Sequence, residues 1–199
     1  MFYLVRHGET AWNVLGQQAS FTDLCLTPHG EAQARTLKPR LSEINFSEVW
    51  CSPLRRARKT CELAGFIEHA EIIEDLTEWH AGDYEGMKSA DIEQLQPGWS
   101  MMTHGAPGGE SVEKIKLRVS RVLERMQKTS GDILIFSSSH FLRALTACFL
   151  GQEPAFGRHL PLATAALSIL DKDNNMPVIR LWNASGQGNG ARKIRMHRL

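Results

Sequence analysis

Short apolar runs of strand length alternate along the chain with segments whose apolar residues recur at helical spacing. The apolar runs span residues 2–5, 47–51, 72–73, 132–136, 165–170 and 178–182. The clearest helical pattern is formed by Val112, Ile115, Val119, Val122 and Met126. This alternation predicts an α/β fold, a three-layer sandwich in which helices cover both faces of a mostly parallel central sheet.

Local signals predict the ends of two further helices. Ser52 and Pro53 follow the second apolar run, and they suit the N-cap and the first position of a helix. An apolar helix is predicted over residues 141–150, and Gly151 is expected to end it.

The predicted strand order brings two motifs to one edge of the sheet. His7 follows the first strand, and Ser137-Ser138-Ser139 follows the strand at 132–136. In open parallel sheets the binding crevice lies beyond the carboxyl ends of the strands. We therefore expect His7 and the serine run to lie in the same crevice.

Composition narrows the class of protein. A chain of 199 residues with 42% hydrophobic and 23% charged residues fits one domain, which we place at residues 1–183. The glycine-rich and then basic segment 184–199, with Arg192, Lys193, Arg195 and Arg198, is expected to be a solvated tail. The net charge of +1 argues against nucleic acid or a membrane surface as a partner.

Neither a signal peptide nor a membrane-spanning run is recognisable, so we expect a cytoplasmic protein. The four cysteines show no metal-like spacing and are expected to be reduced, mostly buried thiols. The sequence leaves a homo-oligomer open.

The segment Arg6-His7-Gly8 combines two groups that phosphoryl transfer needs. A histidine at a strand end can attack an electrophile, and an arginine presents a fork of donors that matches phosphate oxygens. Gly8 would allow a sharp turn or the close approach of a ligand to the backbone. By itself a His-Gly pair is more often a histidine in a turn.

Five motifs, in order along the chain, raise the weight of that segment. They are Arg6-His7-Gly8-Glu9-Thr10 with Trp12-Asn13, Leu26-Thr27-Pro28-His29-Gly30, Ser52-Pro53-Leu54-Arg55-Arg56-Ala57, Leu76-Thr77-Glu78 with Gly82-Asp83-Tyr84-Glu85-Gly86, and Pro107-Gly108-Gly109-Glu110-Ser111. With them the chain resembles the histidine phosphatase superfamily, also called phosphoglycerate-mutase-like, over nearly its whole length.

The resemblance implies a role for each matching residue. His7 would take up the phosphoryl group, Arg6 and Arg56 would clamp its oxygens, and Asn13 would be a neutral donor. Glu78 would be the general acid, and burial beside a tryptophan and the phosphate charge are expected to raise its pKa. No metal or organic cofactor is implied.

Two segments depart from the family pattern. Ser138 stands where the family has a second histidine, and we expect its shorter neutral side chain to weaken the site. His140 or His104 could substitute for that histidine. Ala19-Ser20 matches a phosphate-contacting segment in which relatives commonly have threonine or glutamine and then glycine. Ser20, Ser138 and His140 are retained as substrate-binding candidates.

The sequence thus predicts a phosphomonoesterase that acts on small phosphorylated metabolites, most similar to the sugar-phosphate and broad-specificity acid phosphatase branch. A phosphoglycerate mutase is the first alternative, although about twenty residues between Gly86 and Gly108 leave little room for a lid over the site. A catalytically weak phosphate-binding or regulatory module is the second, because of Ser138.

Overall fold

The sequence folds around one central sheet of six strands. The structure, a computed structural model, describes residues 1–186, so the predicted tail lies outside the described residues from residue 187 onward and its boundary stays a prediction. The strands are β1 (Phe2–Arg6), β2 (Glu48–Cys51), β3 (Ala70–Ile72), β4 (Ile133–Ser137), β5 (Leu167–Asp173) and β6 (Met176–Ala184).

The strand order is β3-β2-β4-β1-β5-β6. The first four strands run parallel to one another, with β4 between β2 and β1. Strands β5 and β6 form an antiparallel hairpin at one edge, and β5 pairs antiparallel with β1. The sheet is therefore mostly parallel, as predicted.

Eight α-helices lie in the described part of the chain. They are α1 (Ala11–Leu15), α2 (Pro28–Arg35), α3 (Lys38–Leu41), α4 (Arg55–Ala64), α5 (Ser89–Leu95), α6 (Met101–His104), α7 (Val112–Lys128) and α8 (Ser139–Phe149). None of the helices in residues 1–186 is long and apolar enough to cross a membrane.

Alternate side chains of the sheet enter two separate cores. In β4, Ile133 and Ile135 pack in a cluster with apolar residues of α7 and α8. Leu134 and Phe136 point the other way, into a cluster with residues of α3 and α4. A strand buried on both faces needs a helical layer on each side, which gives the predicted three-layer sandwich.

The start of α4 differs from the prediction. The helix begins at Arg55, two residues later than Pro53, and its N-cap Leu54 makes no capping hydrogen bond through its side chain. The Asp23 carboxylate accepts the hydrogen bond from the Arg55 N–H at 2.7 Å instead. A cap supplied from a distant loop replaces the local serine, and no spacing rule shows such a contact in advance.

Helix α8 begins two residues before the predicted position, at Ser139, with Ser138 as N-cap. It ends at Phe149, and Gly151 follows in a left-handed conformation, with φ of 73°. The stop at this glycine was predicted correctly.

Candidate active site

The carboxyl ends of β1 and β4 bring His7 and Ser138 together. Arg6 and Ser137 are partners in the parallel register, and the His7 N–H donates to the Ser137 carbonyl at 3.0 Å. The next residue on each strand leaves the sheet at the same edge. The convergence predicted from strand polarity is confirmed.

The imidazole of His7 is buried and held in one tautomer. Its Nδ1 lies 2.7 Å from the Gly8 carbonyl oxygen, which can only accept, so Nδ1 carries the proton. Burial, and then the positive charges of Arg56 and Arg6, hold the pKa of His7 well below its usual value. At neutral pH the ring is uncharged and the lone pair lies on Nε2.

Gly8 is required by the close packing of the protein backbone around it. A Cβ at this position would lie 2.4 Å from the Gly30 carbonyl oxygen, so no larger residue fits. The Gly8 N–H also donates to Thr60 Oγ1 on α4 at 2.9 Å. These contacts of the segment after β1 with α2 and α4 fix the loop that carries His7.

Arg56 is fully buried under the site, whereas Arg55 and Arg58 are exposed, as the motif register predicted. Its guanidinium donates to the carbonyls of Ala19, Ser20 and Thr22 at 3.0–3.2 Å. Those contacts use the two terminal nitrogens, and Nε is buried without a partner.

The guanidinium of Arg6 is anchored at one end in the same way. One terminal nitrogen donates to the Leu162 carbonyl, while Nε is buried and unpartnered. Burial lowers the pKa of Arg6 to about 10, so the group stays positively charged at neutral pH.

Unpartnered donors are concentrated at this place. Four buried side-chain polar atoms lack a hydrogen-bond partner in the described residues, and three of them are Arg6 Nε, Arg56 Nε and Ser138 Oγ. Leaving a buried donor unpaired costs free energy, which an anion bound among these groups would recover. The arrangement is that of an anion site next to a neutral histidine.

The prediction that the pKa of Glu78 is raised is wrong for this structure. Burial alone would raise its pKa, but the His140 side chain and the N–H groups of Trp79 and Phe141 lower it well below the usual range. Both of its oxygens accept hydrogen bonds from backbone N–H groups, at 2.8–3.1 Å. These donors favour the carboxylate, so Glu78 is ionised at neutral pH in this structure.

Ser138 has the buried position expected of the second histidine, whereas His140 has the imidazole. Ser138 is fully buried at the N-cap of α8, and its hydroxyl caps no backbone group. His140 lies in the first turn of the helix, partly exposed, with Nδ1 3.6 Å from Glu78 Oε2. His104 hydrogen-bonds with Ser100 and Thr103 of its own turn.

Asn13 and Ser20 already have protein partners. The amide oxygen of Asn13 accepts from both the N–H and the hydroxyl of Thr10, which leaves its NH₂ group for a ligand. The Ser20 hydroxyl donates to Glu85 and accepts from the Ala81 N–H. The hydroxyl of Ser20 therefore braces a loop, and its contact with substrate stays a prediction.

Arg118 supports the Glu78 loop and was not identified from the sequence. On α7, it pairs with Glu110 at 2.6–2.9 Å and donates to the carbonyls of Asp75, Thr77 and Glu78. Its position three residues after Ile115 places it within the apolar stripe of the helix. An arginine within an apolar stripe was the feature of the sequence that could have indicated a buried, supporting role for Arg118.

Comparison with known proteins agrees with this geometry. A family model, the histidine phosphatase superfamily (branch 1), matches residues 2–185. The chain belongs to this superfamily. An acid phosphatase of Mycobacterium tuberculosis is 35% identical to this histidine phosphatase over 189 residues, covering 92% of each chain. A sedoheptulose 1,7-bisphosphatase of Saccharomyces cerevisiae is 34% identical over 180 residues, covering 74% of this chain and 66% of that protein.

A solved structure shares the fold of this histidine phosphatase in detail. The product of the open reading frame Rv3214 of Mycobacterium tuberculosis superposes with a TM-score of 0.88 and 33% sequence identity, covering 93% of this chain and 97% of that one. The family, the fold and the phosphatase activity predicted from the sequence are confirmed.

Proposed function

We propose that this histidine phosphatase hydrolyses phosphate monoesters of small metabolites, sugar phosphates or similar, through a phosphohistidine on Nε2 of His7. The observation that carries the proposal is the set of buried, unpartnered donors beside a neutral imidazole. Arg6, Arg56 and Ser138 would bind the phosphoryl oxygens, with the NH₂ group of Asn13 as a further donor. The partner is a small phosphate ester and not a nucleic acid, in keeping with the net charge of +1.

In the first step the lone pair of Nε2 forms a bond to phosphorus, and the bond from phosphorus to the ester oxygen breaks. The departing alkoxide takes a proton from Glu78, which must therefore be protonated in the complex. A bound phosphate dianion supplies negative charge close to Glu78, and a nearby like charge raises the pKa of a carboxyl group.

In the second step water attacks phosphorus and the bond from phosphorus to Nε2 breaks. The Glu78 carboxylate accepts the proton of that water, which restores the acid for the next cycle. Inorganic phosphate leaves and His7 is again neutral. This second step requires the carboxylate form of Glu78, which the N–H groups of Trp79, His140 and Phe141 favour.

The names of two relatives support a phosphatase, while further relatives that are 30–32% identical are named probable phosphoglycerate mutase. The Saccharomyces relative is named for a sugar bisphosphate, and the mycobacterial relative is named an acid phosphatase. A mutase would return the phosphoryl group to a second hydroxyl instead of releasing it to water. The ratio of released inorganic phosphate to isomerised substrate, measured with phosphoglycerate, distinguishes the two reactions.

The test is a panel of phosphorylated metabolites assayed with wild type and His7→Ala in the presence of EDTA. Wild type should release phosphate and form an acid-labile phosphoenzyme, and His7→Ala should do neither. His69→Ala is the matched control, because it removes an exposed histidine from the short turn that precedes β3. Appreciable turnover by His7→Ala would refute the mechanism.

A further inference from the structure

Two exposed rings are stacked beside the candidate site. The ring centroids of Phe21 and His80 lie 5.0 Å apart, and the ring planes are inclined by 18°. Phe21 is 56% exposed and His80 is also exposed, so the pair keeps a large surface open to solvent. Stacking on each other has not removed these rings from water.

The position of the pair follows from its neighbours in the chain. Phe21 lies between Ser20 and Thr22, whose carbonyls accept hydrogen bonds from Arg56. His80 lies two residues after Glu78. The rings therefore lie where the loop of residues 19–22 meets the loop of Glu78, as the hydrogen bond from the Ala81 N–H to Ser20 Oγ also shows. If Glu78 is the acid proposed above, the leaving group departs on this side.

Both loops are braced, so the rings are held in place before a ligand binds. On the Phe21 side, the Glu85 carboxylate accepts from the N–H groups of Ser20 and Thr22 at 2.9–3.0 Å. On the other side, the His80 carbonyl accepts from the Glu110 N–H at 3.0 Å. A preformed surface costs less ordering entropy on binding than a mobile one.

The chemistry of the pair suits a flat ring. Phe21 offers an apolar face, and His80 Nδ1 accepts from the Gly82 N–H at 3.2 Å, which holds the imidazole plane. We propose that Phe21 and His80, here called the ring platform, bind the leaving group of the substrate and select phosphate monoesters whose alcohol carries a flat unsaturated ring. This rests on the proposed function, because it assumes that the ester phosphate binds at Arg6, His7 and Arg56.

Matched ligands with and without a flat ring, each measured as a competitive inhibitor, separate binding of the ring from binding of the phosphate. Phenylphosphonate and methylphosphonate form one matched pair, and adenosine 5′-monophosphate and ribose 5-phosphate form the other. Phe21→Ala and His80→Ala should each raise the inhibition constant of the ring-bearing member of at least one pair by about tenfold, while the ring-free member changes by less than about twofold. The affected pair tells an aryl ring from a nucleobase.

Leu117→Ala is the matched control, since it removes an apolar side chain of similar exposure to Phe21 from α7. It should alter no inhibition constant, and His80→Phe should retain the ring preference that His80→Ala loses. Equal changes for both members of each pair, or no change, would overturn the ring platform alone. If none of the four ligands binds to wild type, the proposed phosphate site is refuted together with the platform.

Discussion

The Phe141 N–H donates to Glu78 Oε1 at 2.8 Å, so the N-terminal turn of α8 holds the carboxylate that we propose as acid and base. Free N–H groups at a helix start favour a negative charge. The loop that carries Glu78 and helix α8 are therefore coupled directly. Glu78 must be protonated before it can act as an acid, and a bound substrate has to bring about this protonation although these donors favour the carboxylate.

Glu78→Gln should show this role through the leaving group. The variant cannot give a proton to an alkoxide, so kcat/KM for glycerol phosphate should fall by about 100-fold or more, and far less for p-nitrophenyl phosphate, whose leaving group needs no proton. Glu74→Gln removes an exposed carboxylate from the preceding turn and should change neither rate. Equal slowing of both esters would point to a structural role for Glu78.

The pH dependence of stability follows from the lowered pKa of Glu78. A carboxyl group whose pKa is lower in the folded than in the unfolded state stabilises the fold above its unfolded value, near 4.5, and this contribution is lost as pH falls through the folded value. At pH 7 Glu78→Gln should therefore lower the free energy of unfolding by about 2 kcal/mol, because hydrogen bonds to a charged acceptor are lost.

That difference from wild type should narrow as the pH is lowered below 4.5, where unfolded Glu78 is protonated. Denaturant titrations of both proteins at pH 7 and at successive acidic pH values measure it. A difference that stays constant or widens on acidification would contradict the lowered pKa.

Arg118→Met should destabilise the protein strongly. It leaves the Glu110 carboxylate, whose side chain is only 14% exposed, without its partner and frees three carbonyls of the Glu78 loop. We expect a loss of about 3–5 kcal/mol in the free energy of unfolding, measured by urea denaturation.

Arg121→Met is the control on the same helix, because Arg121 pairs with Asp75 at the surface and should contribute under about 1 kcal/mol. Arg118→Lys, which keeps the charge but not the fork of donors, should fall between the two. Similar small losses in all three variants would show that the buried network does not hold the loop.

Strand polarity was enough to place His7 beside the serine run, because parallel strands end at a common edge whatever their side chains do. Motif register was enough to choose Arg56 over its two exposed neighbours. Both inferences depend only on the order of residues along the chain and need no knowledge of contacts between distant segments.

Interactions between distant segments were beyond the sequence. The side chain that caps α4 comes from Asp23, and position 8 must be glycine because the backbone of Gly30 lies too close for a Cβ. The sign of the Glu78 pKa shift depends on donors from α8, more than sixty residues away. The burial of Glu78 was predicted correctly, but the hydrogen-bond partners of its carboxylate reverse the effect of burial on the pKa.

Ser138→Ala should separate the cost of the serine from its function. Its hydroxyl is buried without a partner, so removing it should leave the free energy of unfolding unchanged or raise it by about 1 kcal/mol. The inhibition constant of inorganic phosphate should rise by about tenfold, because one donor to the anion is lost. A destabilised variant with unchanged phosphate inhibition would assign Ser138 a structural role.

Ser138→His tests whether the serine weakens the site. Ser139 stands in the first turn of α8 without a left-handed backbone, so no glycine is needed after the new imidazole. A recovered charge-assisted hydrogen bond should raise kcat by about tenfold, while the larger side chain in a fully buried position costs about 1–3 kcal/mol of stability. Ser138→Gln adds similar bulk without charge and should bring no gain. If Ser138→His brings none either, while His140→Ala lowers kcat, then His140 beside Glu78 already acts as the second histidine.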